Sequence, residues 1–313
     1  MNPMTETFTS QHLIDGHVHI MTQRRIKGGI RWMQQLAPKH KMLDPETTAE
    51  ELIGHLRRAG VEAFFNYFYP LSPGESREIN RWQRDMADRH PGLLPFASLH
   101  PDDQDKAGII KEALEELDFP GFKFHPYIQQ FGLLDREMEL IYERLEEADR
   151  PVVLHTGFAE FYGLPSLTAD FRELLRRHPG MKIVTAHMLY PELPLEELAD
   201  LAENYPNLYL DATNIFWLCR PDTPEEEKMR DFIKRFSRRM LFGTDYPMSM
   251  TIPVEKLYTQ GYTICPDRES LEDLFWRTAA RLVGKKRLPF LKRSKTKLTT
   301  CQSRWVCDRL KVD

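Results

Sequence analysis

The sequence predicts a (β/α)8 TIM barrel, a ring of eight parallel strands with helices packed around it. Eight short apolar runs alternate with amphipathic stretches of helical spacing over most of the 313 residues. Several runs are continuous Val, Ile, Leu and Phe, the composition of parallel strands buried on both faces. Lys123, His155 and His187 stand in or at the ends of three consecutive runs at equal intervals, as equivalent positions do near one rim of a barrel. A doubly wound open sheet is the other architecture such alternation allows. No glycine-rich phosphate loop follows any run, which counts against it.

Strands are predicted at 12–19, 61–67, 93–99, 121–125, 151–155, 182–187, 208–213 and 240–245. Between them, apolar residues recur at three- and four-residue spacing and predict helices at 47–59, 76–90, 106–117, 136–148, 168–178, 195–204 and 224–238. A last helix at 270–283 closes the pattern. Most of these end at a breaker: Gly60, Pro91-Gly92, Pro151, Pro179-Gly180 or Pro206. Proline cannot continue a helix, and glycine accepts the left-handed cap.

Two stretches break the rhythm. Residues 20–44 form a long loop after strand 1, carrying Arg24, Arg25, Lys27, Arg31, Lys39 and Lys41. A loop of that length is read as a lid over the end of strand 1. Its cations either attract an acidic substrate or are simply solvated. Residues 286–313 form a basic C-terminal tail without periodicity, disordered or peripheral, so that residues 1–285 make up the barrel.

A net charge of −4 argues against nucleic acid as a partner. No apolar run approaches a membrane span, and the N-terminus lacks a charged region followed by an apolar one. The expectation is a soluble cytoplasmic protein. Cys219, Cys265, Cys301 and Cys307 make no C-x-x-C motif and read as reduced thiols.

In a barrel, functional side chains stand at the C-terminal ends of strands. Those positions hold His17, His19, His100, Lys123, His125, His155, His187 and Asp245. Six of the 11 histidines fall on or just after strand ends, where scatter would spread them among helices and loops. His17 and His19 are two residues apart, and residues i and i+2 of a strand share a side. Two surface histidines would give the same spacing; several imidazoles on one rim favour a divalent metal, which needs neutral imidazoles, a carboxylate and an open position for water.

The motifs Asp15-Gly-His17-Val-His19, Gly121-Phe-Lys123-Phe-His125-Pro126, Val153-Leu-His155-Thr-Gly157, Thr185-Ala-His187 and Phe242-Gly-Thr-Asp245-Tyr-Pro247 resemble those of the amidohydrolase superfamily, in family order. The nearest likeness is to the amidohydrolase-related group that includes aminocarboxymuconate-semialdehyde decarboxylase and resorcylate-type decarboxylases. The resemblance implies that His17, His19 and His155 ligate the metal. Asp245 is implied as a ligand or as the acceptor of a proton from water. His187 is implied as a ligand of a second ion or as a general acid/base beside a single one. Lys123 is implied either as a carboxylated bridge between two ions or as an unmodified lysine. Zinc is the implied metal, with manganese, iron or cobalt as alternatives, and one ion rather than two. Relatives are often dimers, so a homodimer is an open expectation.

Asp15 reads as a support for the histidine pair or as a turn residue. Tyr69, Tyr127, Phe158, Tyr162, Asn214 and Trp217 follow strands and either line a substrate pocket or pack against helices; His125 either contacts substrate or is a structural hydrogen-bonding residue. The expected activity is hydrolysis, with metal-activated water attacking an amide, ester or lactone carbon of a small, anionic substrate. The alternative is a nonoxidative decarboxylase of a carboxylated aromatic or enol. A third, non-catalytic ligand- or partner-binding barrel would lack one of the ligands, and all are present.

Overall fold

The computed structural model describes residues 10–36, 38, 43–249 and 254–292. Eight parallel strands appear where the apolar runs place them: β1 (Ile14–Val18), β2 (Ala63–Tyr67), β3 (Leu93–Phe96), β4 (Phe122–Phe124), β5 (Val152–His155), β6 (Ile183–Ala186), β7 (Leu208–Asp211) and β8 (Met240–Leu241). They pair in sequence order as β1-β2-β3 and β4 to β8. The ring is closed at both seams. Ala97 bridges Phe122, and Val18 bridges Tyr246. Backbone bonds from Gly16 N to Phe242 O (2.7 Å) and from Asp245 N to His17 O (2.8 Å) lock β8 onto β1.

The side chains alternate between two apolar layers. Ala63, Phe65, Tyr67, Val153, Val184 and Ala186 fill the ring, while Phe64, Val152, Leu154 and Ile183 face the helices. This period of two puts Lys123, flanked by outward Phe122 and Phe124, inside the ring. It does the same for His155, two residues from Val153. On β1 the register shifts between Asp15 and Val18. Ile14 belongs to the inner layer and Val18 to the outer, although four residues should restore the face. The bulge reverses the parity and turns His17 and His19 inward.

The helices are α1 (Gln23–Leu36), α2 (Ala49–Arg58), α3 (Ser76–Arg89), α4 (Lys106–Lys111), the short turn α5 (Pro126–Gln129), α6 (Arg136–Glu147), α7 (Thr168–Arg177), α8 (Leu195–Asn204), α9 (Pro224–Phe236), α10 (Val254–Ile264), α11 (Arg268–Glu272) and α12 (Thr278–Val283). Wide π turns follow α4 and join α11 to α12.

The long loop expected at 20–44 is corrected by α1. Ile26, Ile30 and Met33 form a buried stripe, worth ~1.5–3 kcal/mol each for full burial, so most of this stretch is docked. Its cations are partly paired: Arg25 meets Glu75 at 2.5 Å, and Lys27 meets Glu46. Lys39 and Lys41 lie outside the described residues. Past residue 285, Leu288 is fully buried in the inner layer's cluster and Phe290 lies edge-on to His12. The rest of the tail, with Cys301 and Cys307, falls outside the described residues. Among the described residues no helix is long and apolar enough to cross a membrane.

Candidate active site

The C-terminal mouth of the ring gathers the strand-end residues. His17 Nε2 and His19 Nε2 stand 3.1 Å apart. Asp245 Oδ1 lies 3.5 Å from the first and 3.1 Å from the second. Among the described residues these three form the one group compact enough to share a cation.

The hydrogen bonds decide where the ring protons sit. His19 Nδ1 donates to the Tyr67 carbonyl (2.7 Å) and His187 Nδ1 to the Thr213 carbonyl (3.0 Å). A carbonyl only accepts, so Nδ1 carries a proton in both rings, and in the neutral form of each ring Nε2 carries the lone pair. His17 Nδ1 donates to Asp211 Oδ2 at 2.6 Å, where the other carboxyl oxygen already takes the N–H and hydroxyl of Thr213. His17 Nε2 is therefore a third lone pair. Burial holds His17, His155 and His187 below the usual histidine range, hence neutral. Burial disfavours ionisation of Asp245, but its closeness to His19, His17 and His187 outweighs it and holds the carboxyl well below the usual range. With both rings in the neutral form, two lone pairs face each other at 3.1 Å and repel, and a carboxylate beside them does not relieve that. A divalent cation does. The donor set, neutral imidazoles with an ionised carboxylate, fits one.

His187 and His155 lie beyond this compact set. The rings of His17 and His187 are 5.3 Å apart, and those of His187 and His155 4.5 Å. The Nε2 atoms of His155 and His187 are buried and have no hydrogen-bond partner, as has Lys123 Nζ. That ammonium lies 4.9 Å over the Tyr67 ring, and burial lowers its pKa to about 8. His125 stacks on His155 with ring centres 3.8 Å apart.

Local backbone aims these groups. His187, Met188 and Leu189 all have positive φ, a left-handed turn that costs of order 1–3 kcal/mol per residue and folds the chain across the mouth straight after β6. Gly157 makes room for it, since a Cβ there would stand 2.9 Å from His187 Cβ. Asp245 also has positive φ, which ends β8 earlier than the predicted 245. Asp15 is a clamp: Oδ1 accepts from His17 N (3.0 Å) and Thr244 N (3.1 Å), and Oδ2 from Thr244 Oγ1 (2.6 Å) and Tyr258 Oη (2.8 Å). It ties the ends of β1 and β8 together, and burial raises its pKa to about 7.

The predicted lining residues divide. Asn214 donates to Asp245 Oδ2 at 3.1 Å. Tyr69 lies edge-on to His19 at 6.1 Å and 5.2 Å from His125. Tyr127 packs against His155 at 5.9 Å. Trp217 is half-exposed on a turn after β7. The backbone N–H of His100 donates to Ser76 Oγ at the start of α3 and to Asp103 Oδ2, and its ring Nδ1 accepts from Asp102 N. Sequence reasoning missed Asp211. The available signal was parity: it follows Tyr209 by two in Leu208–Asp211, a lone carboxylate on the inward face of an apolar run.

A closed parallel barrel with imidazoles and a carboxylate at its C-terminal mouth is of the TIM-barrel class, with its polar cluster at the rim where such barrels carry their sites. The chain belongs to the amidohydrolase family, whose model, described as Amidohydrolase, matches residues 14–285. A curated relative, protein fluG of Emericella nidulans, is 26% identical over 157 residues, which is 44% of this chain and 18% of that protein. The chain thus spans less than a fifth of the length of the curated relative it matches. Among solved structures, the 5-carboxyvanillate decarboxylase LigW of Sphingomonas paucimobilis superposes with a TM-score of 0.64 at 15% identity, covering 88% of this chain and 99% of that one. A 5-carboxyvanillate decarboxylase of Novosphingobium aromaticivorans, solved with manganese and 4-hydroxy-3-methoxy-5-nitrobenzoic acid, gives 0.63 at 14% identity over 90% and 99% of the two chains. A candidate 2-pyrone-4,6-dicarboxylic acid hydrolase of Pseudomonas putida gives 0.62 at 17% identity over 88% and 98%. At such identities the likeness is one of fold.

Proposed function

We propose that the protein is a metal-dependent hydrolase of a small anionic substrate, with one divalent ion held by His17, His19, His155 and Asp245. Bound there, the ion polarises a substrate carbonyl and lowers the pKa of water to ~7. Zinc and manganese both suit nitrogen and oxygen ligands. His155 Nε2 stands outside the compact trio; buried and unpartnered, it is the donor proposed to join the trio as a fourth.

One observation supports hydrolysis over decarboxylation. His187 spends its only ring proton on Thr213 O, so the atom it offers the mouth is a bare Nε2. Ionised Asp245 is also a proton acceptor. Hydrolysis begins by taking a proton from water, and both groups do that. Decarboxylation must deliver a proton to carbon, for which a neutral imidazole turned this way is the wrong tautomer.

The second reading, decarboxylation, is favoured by Lys123, a buried ammonium without a partner that suits a carboxylate. The same cation orients an anionic substrate for hydrolysis. Fold relatives are described with ligands that are carboxylated rings, and such a ring suits this mouth. The metal-loaded protein should therefore be offered lactones, amides and carboxylated aromatics in water enriched in heavy oxygen. Label in a new carboxylate supports hydrolysis. Release of carbon dioxide with solvent hydrogen at carbon overturns it in favour of decarboxylation.

A further inference from the structure

Strands 1 and 5 face each other across an eight-membered ring, so a contact between the segments that follow them spans the mouth. Such a contact exists. Trp32 on α1, after β1, lies edge-on to Phe161 in the 3-10 turn Ala159–Tyr162 after β5, at 5.8 Å. Both rings are about 40% exposed: Trp32 at 39% and Phe161 at 40%. The turn is bounded by left-handed residues, Phe158 and Gly163. It is anchored at its start by Phe158 N on the Tyr190 carbonyl (2.8 Å) and Ala159 N on Glu192 Oε1 (2.5 Å).

Beneath this clasp the next residue, Tyr162, faces the imidazoles. Its ring stacks on Tyr127 at 5.0 Å and stands edge-on to His155 at 5.4 Å. Its hydroxyl lies 3.2 Å from His125 Nε2. Direction follows from the other side of His125, where Nδ1 accepts the backbone N–H of Ile128 at 3.3 Å. An N–H only donates, so the ring proton of neutral His125 sits on Nε2 and is given to the Tyr162 oxygen. The phenolic hydrogen of Tyr162 is left without a described acceptor and is free to donate into the mouth.

We propose that residues 158–163 form a substrate-recognition strap, in which Trp32 and Phe161 clasp over the mouth and Tyr162 donates a hydrogen bond to an acceptor oxygen on a planar ring seated beneath them. The proposal rests on the site being the one assigned above, and it adds residues that hold the substrate far from the reacting carbon. Tyr162 is a specificity residue, not a catalytic one. Its oxygen is oriented by His125, so His125 acts through it as a positioning residue.

Two measurements test this on the full-length, metal-loaded protein. The first needs no ligand. Diethyl pyrocarbonate modifies exposed imidazoles, and mass spectrometry reads which ones. Trp32→Ala and Phe161→Ala should speed modification of His125 several-fold while leaving the rate at His55, a half-buried histidine of α2, unchanged. Equal rates in all three proteins would overturn the clasp. The second uses 4-hydroxy-3-methoxy-5-nitrobenzoic acid and unsubstituted benzoate as probes in calorimetric titrations. Tyr162→Phe keeps the stacking and removes one donor. It should weaken the oxygen-bearing probe about fivefold to tenfold, the cost of one hydrogen bond, and leave benzoate within twofold. Equal weakening of both, no weakening of either, or no binding of either probe to the unmutated protein would overturn the recognition role. Metal content measured on the same samples separates the two ideas: a metal-free protein fails the assignment of the site, whereas the first measurement reads the clasp with or without an ion.

Discussion

Replacing Asp211 by Asn tests whether a carboxylate behind His17 sets the metal site. The Asp211 carboxylate is fully buried. It accepts from His17 Nδ1 on Oδ2 and twice from Thr213 on Oδ1. Asn keeps the shape but loses two things. A bond to a charged acceptor nets roughly 1.5–3 kcal/mol against 0.5–1.5 for a neutral one, so about 1–1.5 kcal/mol goes with the charge. Asn also turns one acceptor oxygen into an NH2 group, which must face either the His17 N–H or the Thr213 donors. That donor-to-donor contact leaves buried groups unpaired at a cost of about 1–3 kcal/mol. Part of the second cost falls on folding and part on the orientation of His17. Together they predict metal binding weakened about 10- to 100-fold, the range for losing a carboxylate behind a ligating histidine. Competition against a chelator of known affinity measures it, and melting of the metal-free forms separates lost fold from lost site. A dissociation constant within threefold of the unmutated protein would refute the reasoning, because the orientation of His17 would then not depend on Asp211.

Lys123→Ala should abolish turnover without rescue by added bicarbonate; rescue would mean a carboxylated lysine and a second ion. Because the Lys123 pKa is lowered to about 8 from the ordinary 10.5, anionic ligands should bind less tightly as pH rises through 8. Between those two values the unfolded chain holds a proton that the folded chain has released, so folding stability should rise with pH there. Denaturation midpoints across that window, compared with Lys123→Met in which the rise disappears, check it. Asp15→Ala leaves four buried donors without their acceptor and should cost on the order of 3–5 kcal/mol by chemical denaturation. Gly243→Ala places a Cβ against Thr213 Oγ1 and 2.5 Å from His17 Cβ. It should destabilise the fold by about 1–3 kcal/mol and weaken metal binding, read by melting and by chelator competition.

The barrel is legible because parallel strands buried on both faces leave unbroken apolar runs, and each of the eight runs coincides with a strand. Their ends are less so. β8 pairs with β7 through Met240–Leu241 alone, the chain beyond it bends where Asp245 takes positive φ, and nothing in Phe-Gly-Thr-Asp announces that bend. Helix α1 is hard to see in the sequence because two glycines and four cations mask its stripe, although Ile26, Ile30 and Met33 carry helical spacing. Helix α10 was missed between the last strand and the last predicted helix. Strand-end histidines point to the mouth, and the structure brings His17, His19 and Asp245 together there. What the sequence could not disclose was which ring nitrogen each histidine offers. That depends on Tyr67, Asp211 and Thr213, distant residues whose approach only the closed ring brings about.

Metal analysis of the purified protein beside its His17→Ala variant bears most directly on the central claim. One divalent transition-metal ion per chain in the first, and loss of that ion from a variant that still melts cooperatively, is the predicted result. A metal-free unmutated protein after growth in metal-replete medium, or a variant that keeps its full complement, would contradict it.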